Sequence, residues 1–316
     1  MNGLEISRGY YEEFGKPMLE TEFADILPFL AAGFVGSGSE HYGYDDEISR
    51  DHDYEPGFCI FIPGEDVIDR RRAFQLERAY AKLPQEYAGI RRQKLSPVGG
   101  SRNGVIRTDE FYLKTVGSDN GKLTAMQWLR LPDHALAEAV NGEVFFDNYG
   151  EFTKIREKLI CMPEDIRLKR LAGNLLVMAQ SGQYNFMRCI RHGEPEAAQL
   201  ACVEYVSAAM KTTFLLQDRY MPYYKWSFRA LRGLVGTQEL SEKLSFLLSG
   251  DNRDDTVAGK KYGIIEEIAS ETITRLQEKQ LTEAICGDLE KHAYSVNDRI
   301  SDSTTRNMNI LVAVGE

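Results

Sequence analysis

Two carboxylates one residue apart, Asp51 and Asp53, stand a dozen residues after a run of small residues, Gly36-Ser37-Gly38-Ser39. In an extended segment the two-residue period puts Asp51 and Asp53 on one face and His52 on the other. Paired hard oxygens on one element suit Mg²⁺, which takes a few carboxylate ligands and completes its shell with water and substrate phosphate. Gly36 and Gly38 carry no side chain, so backbone N–H groups there can approach phosphate oxygens, and the Ser39 hydroxyl can donate one more hydrogen bond. The spacing predicts a phosphate cradle beside a metal site. A turn in which Asp51 and Asp53 make Asx hydrogen bonds is the plainer alternative.

These residues need elements to hold them. Ala32-Gly33-Phe34-Val35 reads as a short strand running into the glycines, and Phe58-Cys59-Ile60-Phe61-Ile62, ended by Pro63-Gly64, as the buried strand that follows the carboxylates. Upstream, Pro17 opens a helix, with Phe23, Ile26, Leu27 and Leu30 at helical spacing. Helices are expected over 67–83, 125–131 and 133–140. Val105-Ile106-Arg107 reads as a strand, Thr108 as the N-cap of the helix after it, and Val144-Phe145-Phe146-Asp147 as a further strand. Strands and helices thus interleave to about residue 150, the pattern of a small α/β domain. Beyond Glu151 every pattern is helical. Pro195 opens the longest helix, in which Ala198, Ala201, Cys202, Tyr205, Val206, Ala209 and Leu216 form one apolar stripe. The expected organisation is an α/β domain with a small mixed sheet over 1–150 and an all-α helical bundle over 151–316.

Composition narrows the partners. With 316 residues, 43% of them hydrophobic, the chain can bury two cores. Its 38 Lys and Arg stand against 48 Asp and Glu, a formal net charge of -10, which argues against an extended nucleic-acid surface or an anionic-membrane binder. No apolar run approaches the roughly 20 residues of a membrane helix, and Met1 to Arg8 lacks a signal-peptide core, so a cytoplasmic location is expected. The cysteines, Cys59, Cys161, Cys189, Cys202 and Cys286, are scattered, and reduced, mostly buried thiols are expected. A triphosphate on so acidic a chain needs a local basic element. Lys225, Arg229 and Arg232, at i, i+4 and i+7 after Pro222, form such a stripe, with an ordinary solvated face as the alternative.

The string from Val35 to Glu40 and on through Tyr44-Asp45-Asp46-Glu47-Ile48-Ser49-Arg50-Asp51-His52-Asp53 resembles the signature of the DNA polymerase β-like nucleotidyltransferase superfamily. It is similar to a bacterial domain family of unknown function within it, which resembles the kanamycin and lincosamide nucleotidyltransferases. Gly142 to Asp147 and Tyr220 to Trp226 look like landmarks of the same family. The resemblance implies an α/β nucleotidyltransferase domain followed by a helical bundle that closes over the nucleotide. It implies transfer of a nucleoside monophosphate, with ATP as donor, to a hydroxyl on a small molecule, a protein or an RNA end. Asp51 and Asp53 would hold one or two Mg²⁺, Gly38 and Ser39 would grip the outer phosphates, and Lys225, with Arg229 beside it, would match a phosphate-contacting lysine of the helical domain.

The superfamily also places an acid on a neighbouring strand, and the matching strand here, Val105 to Thr108, has none. Glu110 is the expected substitute, with Asp109 next to it and Asp147 in reserve. That departure leaves a nucleotide-binding module without transfer as an alternative. A HEPN-like ribonuclease is a third reading; it rests on Arg188 and His192 one turn apart, in a context interrupted by Gly193 and Pro195. Trp226 and Tyr224 are expected to pack in a core or between domains.

Overall fold

The computed structural model describes residues 1–48, 54–92 and 102–314. The chain divides into two compact units, Met1–Leu123 with His134–Cys161, and Thr124–Asp133 with Met162–Glu316.

The first unit begins with α1 (Gly3–Tyr10), which sequence periodicity did not anticipate. It opens on a capping box: the Asn2 side chain accepts from the Glu5 N–H, and the Glu5 carboxylate accepts from the Asn2 N–H. A π-helical turn (Tyr11–Gly15) leads into α2 (Lys16–Glu22), with Pro17 in its first turn. Phe23, Ile26 and Leu30 are buried as their spacing suggests, yet the helix stops before them. Pro28 lacks an N–H and restricts Leu27, so this stretch forms only a 3₁₀ turn at Leu27–Phe29.

Strand β1 (Ala31–Phe34) follows, then β2 (Cys59–Ile62), α3 (Arg70–Ala81), a two-stranded ribbon β3 (Glu86–Tyr87) and β4 (Ile90–Arg91), β5 (Gly104–Arg107) and α4 (Thr108–Val116). After α5 (Ala125–Arg130), α6 (Asp133–Val140), β6 (Glu143–Asp147) and α7 (Glu151–Ile160) complete the series. The sheet order is β5-β2-β1-β6. β1 is antiparallel to both neighbours, while β2 and β5 are parallel, with Ile62 opposite Arg107. This is the expected small mixed sheet with helices. Phe58, Ile60 and Ile62 pack toward Tyr10, Leu19 and Leu76. By the period of two, Phe61 points to the other face, where its ring stacks on Phe152 at 4.0 Å and meets Phe111 edge-on. The Phe152 contact holds α7 in the first unit, although its sequence lies past residue 150.

Every regular element among the described residues of the second unit is a helix. It comprises α8 (Glu164–Met178), a π-helical stretch (Ala179–Phe186), α9 (Met187–Arg191), α10 (Pro195–Leu216), α11 (Tyr224–Arg232), α12 (Gln238–Ser249), α13 (Asp255–Glu278), α14 (Leu289–Asp298) and α15 (Ser303–Asn307). The stripe expected on α10 is buried at every position from Ala198 to Leu216 named above. Arg170 explains why residues 124–133 belong here. Its buried guanidinium donates to Asp133 at 2.5 Å, to the Trp128 carbonyl at 2.6 Å and to the Leu131 carbonyl, tying α5 and the turn after it to α8. Buried Lys169 likewise holds the C-terminal segment through Asn297 and the carbonyls of Arg306 and Met308.

Candidate functional site

The C-terminus of β1 and the N-termini of β2, β5 and β6 share one edge of the sheet, because β1 runs against the other three. The glycine run leaves β1 at this edge. Gly36 and Gly38 have φ of +120° and +131°, conformations that L side chains rarely adopt. Asn141, at the turn before β6, clamps Gly36 from both sides: its Oδ1 accepts from the Gly36 N–H at 2.9 Å, and its Nδ2 donates to the Gly36 carbonyl at 2.7 Å. Gly142 follows at φ +63°, and a Cβ there would overlap the Phe34 carbonyl oxygen.

Ser39 is buried and begins a 3₁₀ turn, Ser39–Tyr42. Its Oγ donates to Glu40 Oε2 at 3.3 Å. The Glu40 side chain, only 12% exposed, folds back onto Gly38; Arg102 Nη1 and His41 Nδ1 lie 3.7 and 3.6 Å from its other oxygen. Burial pushes the Glu40 carboxyl above the usual range, against the pull of its own backbone N–H, Arg102 and the Ser39 hydroxyl. His41, 2% exposed, stacks on Phe34 with ring centroids 4.1 Å apart. Burial and the nearby Arg102 lower its pKa to about 3, so the imidazole is neutral at pH 7 and does not form an ion pair with Glu40. Beyond the turn, Asp45 accepts from the Gly3 N–H at 3.0 Å, tying the loop to the start of α1.

Asp51, His52 and Asp53 lie outside the described residues. The next described residues are Tyr54, which is buried, and Glu55, whose Oε1 accepts from Asn103 Nδ2 at 3.4 Å. Gly38 and Ser39 are therefore at the edge where β2 begins, and β5 starts there with Arg102, Asn103 and Gly104 beside it.

The substitute acids are elsewhere. β5 leaves the sheet at Arg107, the opposite end, and Asp109 and Glu110 are exposed in the first turn of α4. Asp109 there accepts from the Glu110 N–H at 2.8 Å, so both are first-turn acids, favoured by the helix dipole. Thr108 is buried as the first helical residue, not the N-cap, and the Arg107 guanidinium is spent on the Pro63 and Ile68 carbonyls. Asp147 ends β6 at that same far edge, its two oxygens accepting from the Gly150 and Thr153 N–H groups at 2.7 Å. Among the described residues no group of three His, Cys, Asp or Glu side chains could hold a metal ion.

Lys225, Arg229 and Arg232 are exposed on α11, in the second unit. Tyr224, expected to pack, is instead exposed at the first residue of α11, its ring 4.4 Å from that of Tyr223, while Trp226 is half-buried. Arg188 lies over the Tyr184 ring at 4.8 Å and His192 is exposed at the C-cap of α9. All five cysteines are free, but only Cys59 and Cys202 are buried; Cys161 and Cys286 sit in surface connections. A cavity of about 490 Å³ opens beside the π-helical stretch, lined in part by Gln183, Tyr184, Tyr262, Glu266 and Asp288.

Sequence reasoning passed over Asn141, Glu40 and Arg102. Asn-Gly before a strand is a turn signal and could have marked the first; Glu40 stands inside the glycine-serine string but its spacing says nothing of where its carboxylate folds. Residues 128–227 match a family model described as a domain of unknown function, DUF4037, a stretch that does not include the glycine loop. No curated protein and no solved structure matches the chain.

Proposed function

We propose that this protein is a Mg²⁺-dependent nucleotidyltransferase that moves a nucleoside monophosphate from ATP to a hydroxyl on a small molecule, a protein or an RNA end. The observation that supports it is topological: β1 and β2 are antiparallel neighbours, so the loop of Gly36 to Ser39 leaves β1 at the sheet edge where β2 begins, and Asp51 and Asp53 precede β2 in the sequence. Two glycines at positive φ followed by a buried serine are the kind of backbone that a phosphate cradle would use.

A hard cation is the ion that paired carboxylates at this edge would take. Among the described residues the imidazole of His41, in the turn after the loop, is buried against Phe34. Asp51 and Asp53 would hold the ion, which when bound offsets the triphosphate charge and lowers the pKa of the attacking hydroxyl. Ser39 would donate its hydroxyl to a phosphate oxygen, and the Gly38 backbone would stand close to the same group. Arg102 adds a cation at this edge, and Lys225 and Arg229 are the phosphate contacts proposed from the second unit. Glu110 is not retained as the base, since α4 starts at the far end of β5.

The test is incubation with α-labelled ATP, Mg²⁺ and cell extract. A labelled product that disappears with Asp51→Ala and with Asp53→Ala, and with chelator, is expected; no label from any nucleotide or divalent metal rejects the reading. A second reading, nucleotide binding without transfer, is favoured by the start of β5, where Arg102, Asn103 and Gly104 supply no acid. It predicts Mg²⁺-dependent ATP binding by calorimetry and no labelled product.

A further inference from the structure

We propose that Glu40 is the resident occupant of an anion site built at Gly38, and that a nucleotide phosphate displaces its carboxylate and takes over Arg102. The proposal rests on the nucleotide reading above and adds how that site discriminates among anions. A Cβ placed on Gly38 would overlap the Glu40 carboxylate, its Cδ and Oε2 lying 2.6 Å from that position. The turn at φ +131° therefore encloses the Glu40 carboxyl group with no side chain in between.

The groups around that carboxylate are those that bind oxyanions. The Ser39 hydroxyl donates to one oxygen at 3.3 Å; the Arg102 guanidinium and His41 Nδ1 face the other at 3.7 and 3.6 Å. His41 is 2% exposed, and neither of its ring nitrogens has a well-aligned hydrogen-bond partner among the described residues. Well-made charge-assisted bonds are about 2.7–2.9 Å long, so the planar carboxylate is enclosed by donors but loosely held. A tetrahedral phosphate carries more oxygens and more charge and can meet the same donors at shorter distance. Arg102, with 44% of its side chain exposed, stands at the outer side and can exchange partners. An anion too weakly charged to displace Glu40 is excluded, which suits a chain that must select a polyphosphate.

Calorimetry on the full-length protein with inorganic pyrophosphate, orthophosphate and Mg²⁺–ATP separates the outcomes. Glu40→Gln keeps size and hydrogen-bonding capacity while removing the competing charge; it is expected to bind pyrophosphate about tenfold more tightly than wild type and to begin to bind orthophosphate. Glu40→Ala should show the same gain, and Arg102→Gln a loss of about tenfold. Wild-type binding of Mg²⁺–ATP with no gain for pyrophosphate in either Glu40 variant overturns this proposal and leaves the nucleotide reading standing. Failure of every variant to bind pyrophosphate or ATP overturns both.

Discussion

Single side chains at the glycine edge combine burial with sparse hydrogen bonding, which makes their energetics readable. His41 has a folded pKa of about 3 against 6.5 for the free imidazole. A depressed value means that the unfolded chain binds more protons between these limits, so stability is full above about 6.5 and falls as the pH drops toward 3. The slope from this group is at most ~1.4 kcal/mol per pH unit. Urea unfolding at pH 7, 6 and 5 is expected to show that acid loss in wild type and a shallower one in His41→Gln; parallel pH profiles would contradict it. Asn141 offers a second measurement. Its two bonds to Gly36 are the clamp on the loop, and Asn141→Ala leaves both backbone groups short of a partner. A cost of about 1–3 kcal/mol is expected in urea, together with weaker ATP binding; unchanged binding at reduced stability would separate the clamp from the cradle.

At the scale of elements, the apolar pattern was a reliable guide to burial and a weaker one to conformation. Phe23, Ile26 and Leu30 are core residues in a segment that Pro28 prevents from being helical. Arg170 is a polar device that no periodicity could indicate, because its partners are a distant Asp133 and two carbonyls at the end of α5. Arg170→Met would leave the Asp133 carboxylate, 13% exposed, without its cation, and removing one partner of a largely buried pair typically costs about 3–5 kcal/mol. Asp133→Asn, which keeps a hydrogen-bond acceptor, should cost less. Equal stability of Arg170→Met and wild type in denaturant would show that α5 is held by its apolar contacts alone.

For the molecule as a whole, the two units do not follow the chain as one cut. Residues 124–133 belong to the helical unit although they are flanked on both sides by the α/β unit. A fragment of residues 1–161 would retain α5 without α8, and its one tryptophan would be Trp128, which is buried in the full chain. Its emission is expected to lie to the red of that of a full-length Trp226→Phe variant, where Trp128 is again the one emitter; identical spectra would place the burial of Trp128 within the fragment. A formal net charge of -10 remains consistent with a confined anion site. Glu40 over Gly38 is a local form of the same acidity.

Local sequence determined the four strands of the main sheet, the helical character of the second half and the glycine loop, since two-residue and 3.6-residue periods and turn residues act over a few positions. The fold class, a small mixed sheet with helices followed by a helical region, was legible for that reason. Only the tertiary structure decided which acids share an edge with the loop. Asp109, Glu110 and Asp147 were near in sequence to suitable strands, but strand direction carries them to the opposite end. It also decided that Asn141, more than a hundred positions away, grips Gly36, and that Glu40 turns back on Gly38. Those are non-local pairings, set by how the strands align and by which polar groups burial forces together, and no short-range pattern encodes them.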